Sequence, residues 1–249
     1  MTPMVHWPEV MMTYEQTEKI LFSADAFGKF GSLEIEDDWD CEARRYYFGI
    51  VGKYGAQVQN ALQKLEGVEI NKIAPLHGPI LEENLEYYIN KYDIWSKYEP
   101  EEEGIYIAVA SIHGNTLNVA KEIEKILKEK TNKKIVLADL TTEDWAEAVE
   151  DAFRYSHIIL AASSYNLNVF PQMEHLLRHL KDRNYQHRTV GIIENGSWAP
   201  SAAKSMNAIL EEMKDINIIE PVVTIKSTLK DADVEKLNEL ADKMIENMS

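Results

Sequence analysis

The chain's 249 residues are 45% hydrophobic and 27% charged, enough for one large domain or two modest ones with buried cores, which excludes disorder and fibrous structure. With 26 basic against 42 acidic side chains the net charge is −16, a field that repels phosphate backbones and anionic headgroups, so neither nucleic acid nor a membrane is an expected partner. One cysteine (Cys41), an N-terminal MTPMVHWPEVMM without a signal-peptide pattern, and no apolar run near the ~18 residues of a membrane span point to a reducing, cytoplasmic setting.

In chain order, the first hundred residues predict a strand at Lys19-Ile-Leu-Phe-Ser23, a helix across roughly 40–64, a strand at Asn71-Lys-Ile-Ala-Pro-Leu76 and a helix across 82–97. Two strands and two helices offer few partners for a strand edge, so residues 1–98 read as part of a layered α/β domain, incomplete on its own. Tyr98-Glu-Pro-Glu-Glu-Glu-Gly104 then breaks any helix and favours a solvated connector, taken as a linker at 99–104. Charge shifts at the same place: residues 1–103 carry nine basic and twenty acidic groups, residues 104–249 seventeen and twenty-two. An acidic loop inside a single domain is the alternative.

From 105 to 249 the pattern is regular. Ile105-Tyr-Ile-Ala-Val-Ala110 is the unbroken apolar run of a strand buried on both faces. Leu117, Ala120, Ile123, Ile126 and Leu127 give a helix one apolar face, with Lys121, Glu124, Lys125 and Lys128 opposite. Lys134-Ile-Val-Leu-Ala-Asp-Leu140 is the second strand, and a helix opens at Thr141-Thr-Glu-Asp144, where hydroxyl and carboxylate stand at capping spacing. His157-Ile-Ile-Leu-Ala-Ala162, helix 171–183, strand 189–194, helix 199–214, strand 218–225 and helix 231–247 complete five alternations. The expected architecture is α/β, a five-stranded parallel sheet with helices on both faces.

Ligands of such sheets sit outside the carboxyl ends of the strands, which singles out three turns. Ser111-Ile-His-Gly-Asn-Thr116 leads into a helix and offers hydroxyls, successive N–H groups and a helix N-terminus to an anion. It lacks the Gly-Lys-Ser/Thr ending of a triphosphate site, so a monophosphate suits it better. Ser163-Ser-Tyr-Asn-Leu-Asn168 and Asn195-Gly-Ser-Trp-Ala-Pro200 each carry a ring that no turn needs. Tyr165 and Trp198 either stack on a planar heterocycle or cap the core.

Three features of the first hundred residues have metal-ligand chemistry: His6 in Val5-His-Trp-Pro8, Asp25 in Phe22-Ser-Ala-Asp-Ala-Phe-Gly28, and His77 in Leu76-His-Gly-Pro-Ile80. Taken alone, each also suits a cap or a hydrogen-bond partner. Glu174-His-Leu-Leu-Arg-His179 imitates a zinc helix, but Leu176 stands where a general base belongs, so a solvated helix face is expected there. Cys41, in an acidic stretch, is assigned no redox role.

With these motifs in hand, residues 104–249 resemble a flavodoxin domain, and Ile193-Glu-Asn-Gly-Ser-Trp-Ala-Pro200 is similar to the form found in A-type flavoproteins, the flavodiiron family. The resemblance implies that the FMN phosphate is held by Ser111, Gly114, Asn115 and Thr116, with His113 a cofactor-binding residue near the ribityl chain and Ser163, Ser164, Tyr165, Asn166, Asn168, Asn195, Gly196, Ser197 and Trp198 flanking the ring. His113 stands where that family commonly has tyrosine. Residues 1–98 resemble the C-terminal half of the family's metallo-β-lactamase-like domain, which implies iron ligands at His6, Asp25 and His77, with Asp25 bridging; Glu9 replaces an aspartate of the first motif. It further implies a diiron centre reducing dioxygen or nitric oxide, a donor such as rubredoxin or a reduced flavin-type cofactor, and a head-to-tail homodimer.

The family's remaining ligands come from a His-x-Glu-x-Asp-His segment, which does not occur in these 249 residues. Three readings stay open: a piece of a longer chain, a second chain that supplies the missing half, or an FMN-only electron carrier. A non-redox binding module with a flavodoxin-like shape is the rival from another class.

Overall fold

In a computed structural model that describes residues 1–34 and 38–248, the chain divides into two units, Met1–Glu99 and Pro100–Ser249. The first contains β1 (Thr13–Glu15), β2 (Ile20–Phe22), α1 (Trp39–Tyr46), α2 (Gly55–Gln63), β3 (Lys72–Ala74) and α3 (Leu85–Ser96). β1 pairs antiparallel with β2, and β2 parallel with β3, so the two expected strands gain a third. The single helix expected over 40–64 is broken. Between α1 and α2 lie a π turn at Tyr47–Val51 and a 3₁₀ turn at Gly52–Tyr54. Glycines at 49, 52 and 55 weaken a regular helix there, and the widened turn sends Tyr47 and Phe48 inward. The resulting core is aromatic: Tyr47, Tyr92 and Trp95 are buried with ring centroids 5.2–5.3 Å apart.

The second unit follows the predicted alternation: β4 (Glu102–Ala110), α4 (Asn115–Lys130), β5 (Lys134–Asp139), α5 (Trp145–Arg154), β6 (Tyr155–Tyr165), β7 (Asn168–Val169), α6 (Pro171–Asp182), β8 (Gln186–Asn195), α7 (Ala202–Leu210), β9 (Lys214–Ile218), β10 (Val223–Ile225) and α8 (Asp231–Glu246). The main path runs β10-β8-β6-β4-β5, all parallel, which in chain order is the 2-1-3-4-5 arrangement of flavodoxin-like sheets. Two short strands raise the total to seven: β7 lies antiparallel to β6, and β9 parallel to β8.

β4 shows why the sheet must be covered on both sides, since Ile105 through Ala110 are all buried. Ile105, Ile107 and Val109 pack with Val119, Ile123 and Leu127 of α4 and Leu237, Leu240 and Met244 of α8. α5, α6 and α7 cover the other face. Each such buried aliphatic side chain contributes about 1.5–3 kcal/mol.

Several boundaries differ from expectation, and the linker expected at 99–104 is cut short, because β4 begins at Glu102 and pairs there with Tyr155 of β6. The single strand at 218–225 is two strands, because Pro221 has no N–H for a ladder; β9 pairs with the start of β8 and β10 with its end. The helix expected over 199–214 stops at Leu210, since Lys214 already belongs to β9. α5 begins at Trp145, not at 141, because the Asp144 carboxylate accepts from the Ala146 and Glu147 N–H groups (2.7 and 3.4 Å) while the Thr141 hydroxyl donates to Asp139. No helix among the described residues is long and apolar enough to cross a membrane.

Candidate functional site: a strand-end cavity and a histidine–carboxylate cluster

β4, β6 and β8 run parallel and adjacent, so their carboxyl ends deliver three loops to one edge of the sheet. In the first, the Ser111 hydroxyl accepts from the Gly114 N–H (3.1 Å), and Gly114 at φ 84° turns the chain into α4. Thr116 in the first turn of α4 is buried, with its hydroxyl 2.8 Å from that of Ser163, tying the first loop to the second. The second loop is a hairpin: Asn166 and Leu167 both adopt positive φ, the conformation of a tight turn between β6 and β7. The third is held close. A Cβ at Gly196 would lie 2.8 Å from Pro200 Cα and 3.0 Å from the Ser164 hydroxyl, so only glycine fits. The Ser164 hydroxyl also accepts from the N–H groups of Ser201 and Ala202, 2.9 and 3.2 Å away.

These loops wall two cavities. Ser111, His113, Asn115, Thr116, Ser163, Ser164, Asn195, Gly196 and Ser197 line one of about 190 Å³. Ser164, Tyr165, Asn166, Gly196, Ser197 and Trp198 line another of about 340 Å³. The shared residues Ser164, Gly196 and Ser197 make them neighbours. Gly114 supplies the helix cap. Asn168 lines neither cavity: it sits opposite Tyr165 in the hairpin, and its carbonyl accepts from the Ser201 hydroxyl. Tyr165 is 51% and Trp198 91% exposed, so neither ring caps the core.

Two residues of this region escaped the sequence reading. Glu194 is buried, and its carboxylate accepts from the Ala203 N–H and the Thr224 hydroxyl, both at 2.9 Å, fastening α7 and β10 to the end of β8. A charge ending an apolar run was the available signal. Ser227 enters the smaller cavity because the Asn195 side chain both donates to its carbonyl (2.8 Å) and accepts from its N–H (3.0 Å). That contact spans 32 residues of sequence and has no local signature.

In the first unit, Asp25 lies between two imidazoles: one carboxylate oxygen is 3.0 Å from His6 Nε2, the other 3.1 Å from His77 Nε2. Ser23 donates to the Ala26 carbonyl (2.6 Å), and the Phe27 N–H donates to the Tyr92 hydroxyl (2.8 Å), fixing the turn that carries Asp25. A Cβ at Gly28 would stand 2.7 Å from the His77 carbonyl, so this turn and the His77 loop touch. The Tyr46 ring lies 6.2 Å from that of His6 and 6.0 Å from that of His77. Its hydroxyl is buried without a hydrogen-bond partner among the described residues, and burial, then the Asp25 charge, push the phenol above its ordinary range. Two imidazoles on opposite oxygens of one carboxylate bring three metal-ligating residue types together, with Asp25 between them and their ligand atoms not gathered around a single ion position.

The His175 and His179 pair has other company. His179 stacks on Trp145 with centroids 4.7 Å apart, and its Nδ1 is 2.9 Å from Arg183 Nη1. Burial and the Arg183 charge lower its pKa.

No family model matches the chain. By sequence it is 24% identical over 221 residues to the anaerobic nitric oxide reductase flavorubredoxin of Enterobacter sp. (strain 638), covering 85% of this chain and 46% of that protein. By structure it is similar to the rubredoxin oxygen:oxidoreductase of the anaerobe Desulfovibrio gigas, with TM-score 0.88, 22% identity, and coverage of 98% of this chain and 63% of that one. A flavo di-iron protein from Thermotoga maritima gives TM-score 0.84 and 26% identity over 99% of this chain and 63% of that one. The chain thus spans less than two thirds of the length of these relatives.

Proposed function

This chain is a relative of the flavodiiron proteins over nearly its whole length, and from that premise we propose that it binds FMN at the strand-end cavities and takes part in electron transfer toward an iron site. The observation that carries the reading is the sharing of Ser164, Gly196 and Ser197 between a small polar cavity and a larger one edged by exposed rings. The smaller cavity suits a phosphate: hydroxyls of Ser111, Thr116 and Ser163 and the N-terminus of α4 are all hydrogen-bonding groups. The larger one suits a flat ring, with Tyr165 and Trp198 placed to exclude water from it.

FMN, when bound, supplies one- and two-electron transfer. The chain's own residues would bind and orient it: Gly196 allows close backbone approach, Thr116 and Ser163 hold two loops in register, and Glu194 fixes the floor. In the first unit, His6, Asp25 and His77 would contribute ligands to iron, Asp25 as the bridge. Reduction of dioxygen or nitric oxide, the activities after which two of the relatives are named, needs further ligands beyond these three. In this reading they come from a segment outside these 249 residues or from another chain. A homodimer and a donor such as rubredoxin belong to the same proposal.

Purified protein tests it. Flavin absorbance that bleaches with dithionite and returns in air is expected; colourless protein that ignores added FMN would leave a flavodoxin-shaped module without redox chemistry. For the metal, alanine at His6, Asp25 or His77 should lower bound iron and leave flavin content unchanged. A variant that keeps full iron removes its residue from the ligand set.

A further inference from the structure

A file of aromatic rings in the first unit runs without a gap from the turn that carries Asp25 to solvent. Phe27, on that turn, packs on Tyr92 with ring centroids 4.4 Å apart, and its N–H donates to the Tyr92 hydroxyl at 2.8 Å. From Tyr92 the file continues to Trp95 (5.3 Å), Trp39 (6.0 Å, interplanar angle 14°), Tyr88 (4.6 Å) and Tyr87 (5.4 Å). Phe27, Tyr92 and Trp95 are buried, whereas Tyr87 is 38% exposed. The rings differ in what can take their proton. The indole Nε1 atoms of Trp39 and Trp95 and the hydroxyl of Tyr47, whose ring branches off 5.2 Å from that of Tyr92, are buried without a hydrogen-bond partner among the described residues. Tyr87, by contrast, donates to the Asp40 carboxylate, which Lys91 Nζ also meets at 2.8 Å. Burial, then the bond to Asp40, push this phenol up to about 12, so the proton rests on the tyrosine in the neutral range.

We propose that this file of rings carries an oxidising equivalent from the His6, Asp25 and His77 cluster to Tyr87, where it is trapped as a phenoxyl radical, so that a high-potential one-electron oxidant at the cluster is spent at the surface and not on its own surroundings. The iron reading supplies only the place where the oxidant arises; the path is a property of the rings. A phenol that loses an electron becomes a strong acid and has to pass on its proton. Tyr47, with no acceptor, is therefore a dead end, while the two indoles keep their N–H as short-lived cation radicals and hand the charge onward. At Tyr87 the proton has a destination. One electron leaves Tyr87 and moves inward ring by ring to the oxidant, which is reduced by one electron, and the phenolic proton passes to Asp40, which becomes neutral. A one-electron donor from solvent, such as a thiolate, returns the electron and Asp40 returns the proton.

The test needs no metal. A ruthenium polypyridyl photo-oxidant is attached to the whole chain through Leu76→Cys, an exposed position next to His77, with Cys41→Ser so that the label has a single thiol to find. After a flash with an electron-accepting quencher, a phenoxyl radical is expected by electron paramagnetic resonance and by its absorption. It should be lost in Tyr87→Phe and in Trp39→Phe, and unchanged in Tyr14→Phe, whose hydroxyl donates to the Glu69 carbonyl away from the file. Asp40→Asn keeps every ring and removes the base, so there the phenoxyl signal should give way to that of a tryptophan cation radical; this variant decides the matter even where Trp39→Phe loses the parent's circular dichroism. An undiminished phenoxyl signal in Tyr87→Phe or Asp40→Asn, the same in a folded Trp39→Phe, or none in the labelled parent overturns the path while the iron reading stands. Metal analysis of the unlabelled parent is the separate readout: a chain that takes up no iron overturns the source of the oxidant and not the path.

Discussion

The two units solve the same packing problem differently. In the second, β4, β6 and β8 each carry an apolar run (Ile105–Ala110, Ile158–Ala162 and Val190–Ile193), and the core is aliphatic and repetitive: isoleucine, valine and leucine from sheet, α4 and α8 meet in layers. In the first, the strands are three residues long, and Tyr47, Phe48, Tyr92 and Trp95 carry much of the core from helices and a π turn. Each unit's candidate chemistry follows its architecture. Parallel strands bring three distant loops to one edge by topology alone, whereas the His6, Asp25 and His77 cluster depends on individual hydrogen bonds and close backbone contacts.

The largest effect expected from this contrast is Trp95→Ala, at about 3–5 kcal/mol, because a large buried ring is removed from a small aromatic core. Hydrogen exchange should show lost protection in residues 1–99, with β4, β6 and β8 retaining theirs. Equal loss in both units would break the separation of the two cores.

A matched pair of glycine substitutions sharpens it further. Gly28→Ala drives a Cβ to 2.7 Å from the His77 carbonyl, and Gly196→Ala drives one to 2.8 Å from Pro200 Cα; both contacts are with backbone, and each change should cost about 1–3 kcal/mol. The readouts differ. Gly28→Ala should lose iron and keep FMN, and Gly196→Ala should do the reverse, measured by metal analysis and flavin titration on the same preparations. A shared loss of both would mean that the sites are not independently built.

How far the sequence spoke for each unit has the same physical origin. Ile105 to Ala110 announces a buried strand because an unbroken apolar run of that length has few other uses, and 117–127 announces a helix through its period. Five such alternations indicate a parallel sheet with helices on both faces, while the strand order β10-β8-β6-β4-β5 is seen only in the structure. Where tertiary contacts decide, the signal fades: Pro221 divides what reads as one strand, Asp144 overrides Thr141 as a cap, and three glycines convert one predicted helix into α1, two irregular turns and α2. Within the candidate sites, the polar loops at 111, 163 and 195 were visible as departures from strand and helix patterns. Glu194, Ser227 and Tyr46 were not, because their importance lies in partners 9 to 40 residues away or in a hydroxyl left unpaired.

Trp198→Ala isolates binding from folding. At 91% exposure the ring supports little of the native structure, so stability should stay within about 0.5 kcal/mol of the parent. FMN affinity should fall by about 1–3 kcal/mol if the indole becomes buried against the flavin. Unchanged affinity in a fluorescence titration would remove Trp198 from the stacking role and leave Tyr165 as the ring at that edge.

The smallest effect concerns the amino-terminal end of the sheet in the second unit, opposite the loops. His157 is buried on β6 with its Nδ1 2.8 Å from the Ser156 hydroxyl, and burial lowers its pKa below the ordinary histidine value of 6.5; the Arg188 charge acts in the same direction, while the Asn247 backbone and Glu103 oppose. The unfolded chain therefore takes up a proton at a higher pH than the folded one. Stability is at its full value above about 6.5 and declines as pH falls from there through the depressed folded pKa. A urea midpoint measured at about pH 8 and again near pH 5.5 should fall for the parent and fall less for His157→Gln. Because the aromatic core of the first unit holds no such buried imidazole among its described residues, the loss should be confined to hydrogen-exchange protection of β4, β6 and β8; a decline that tracks Tyr47 and Trp95 instead would assign the acid sensitivity to the wrong unit.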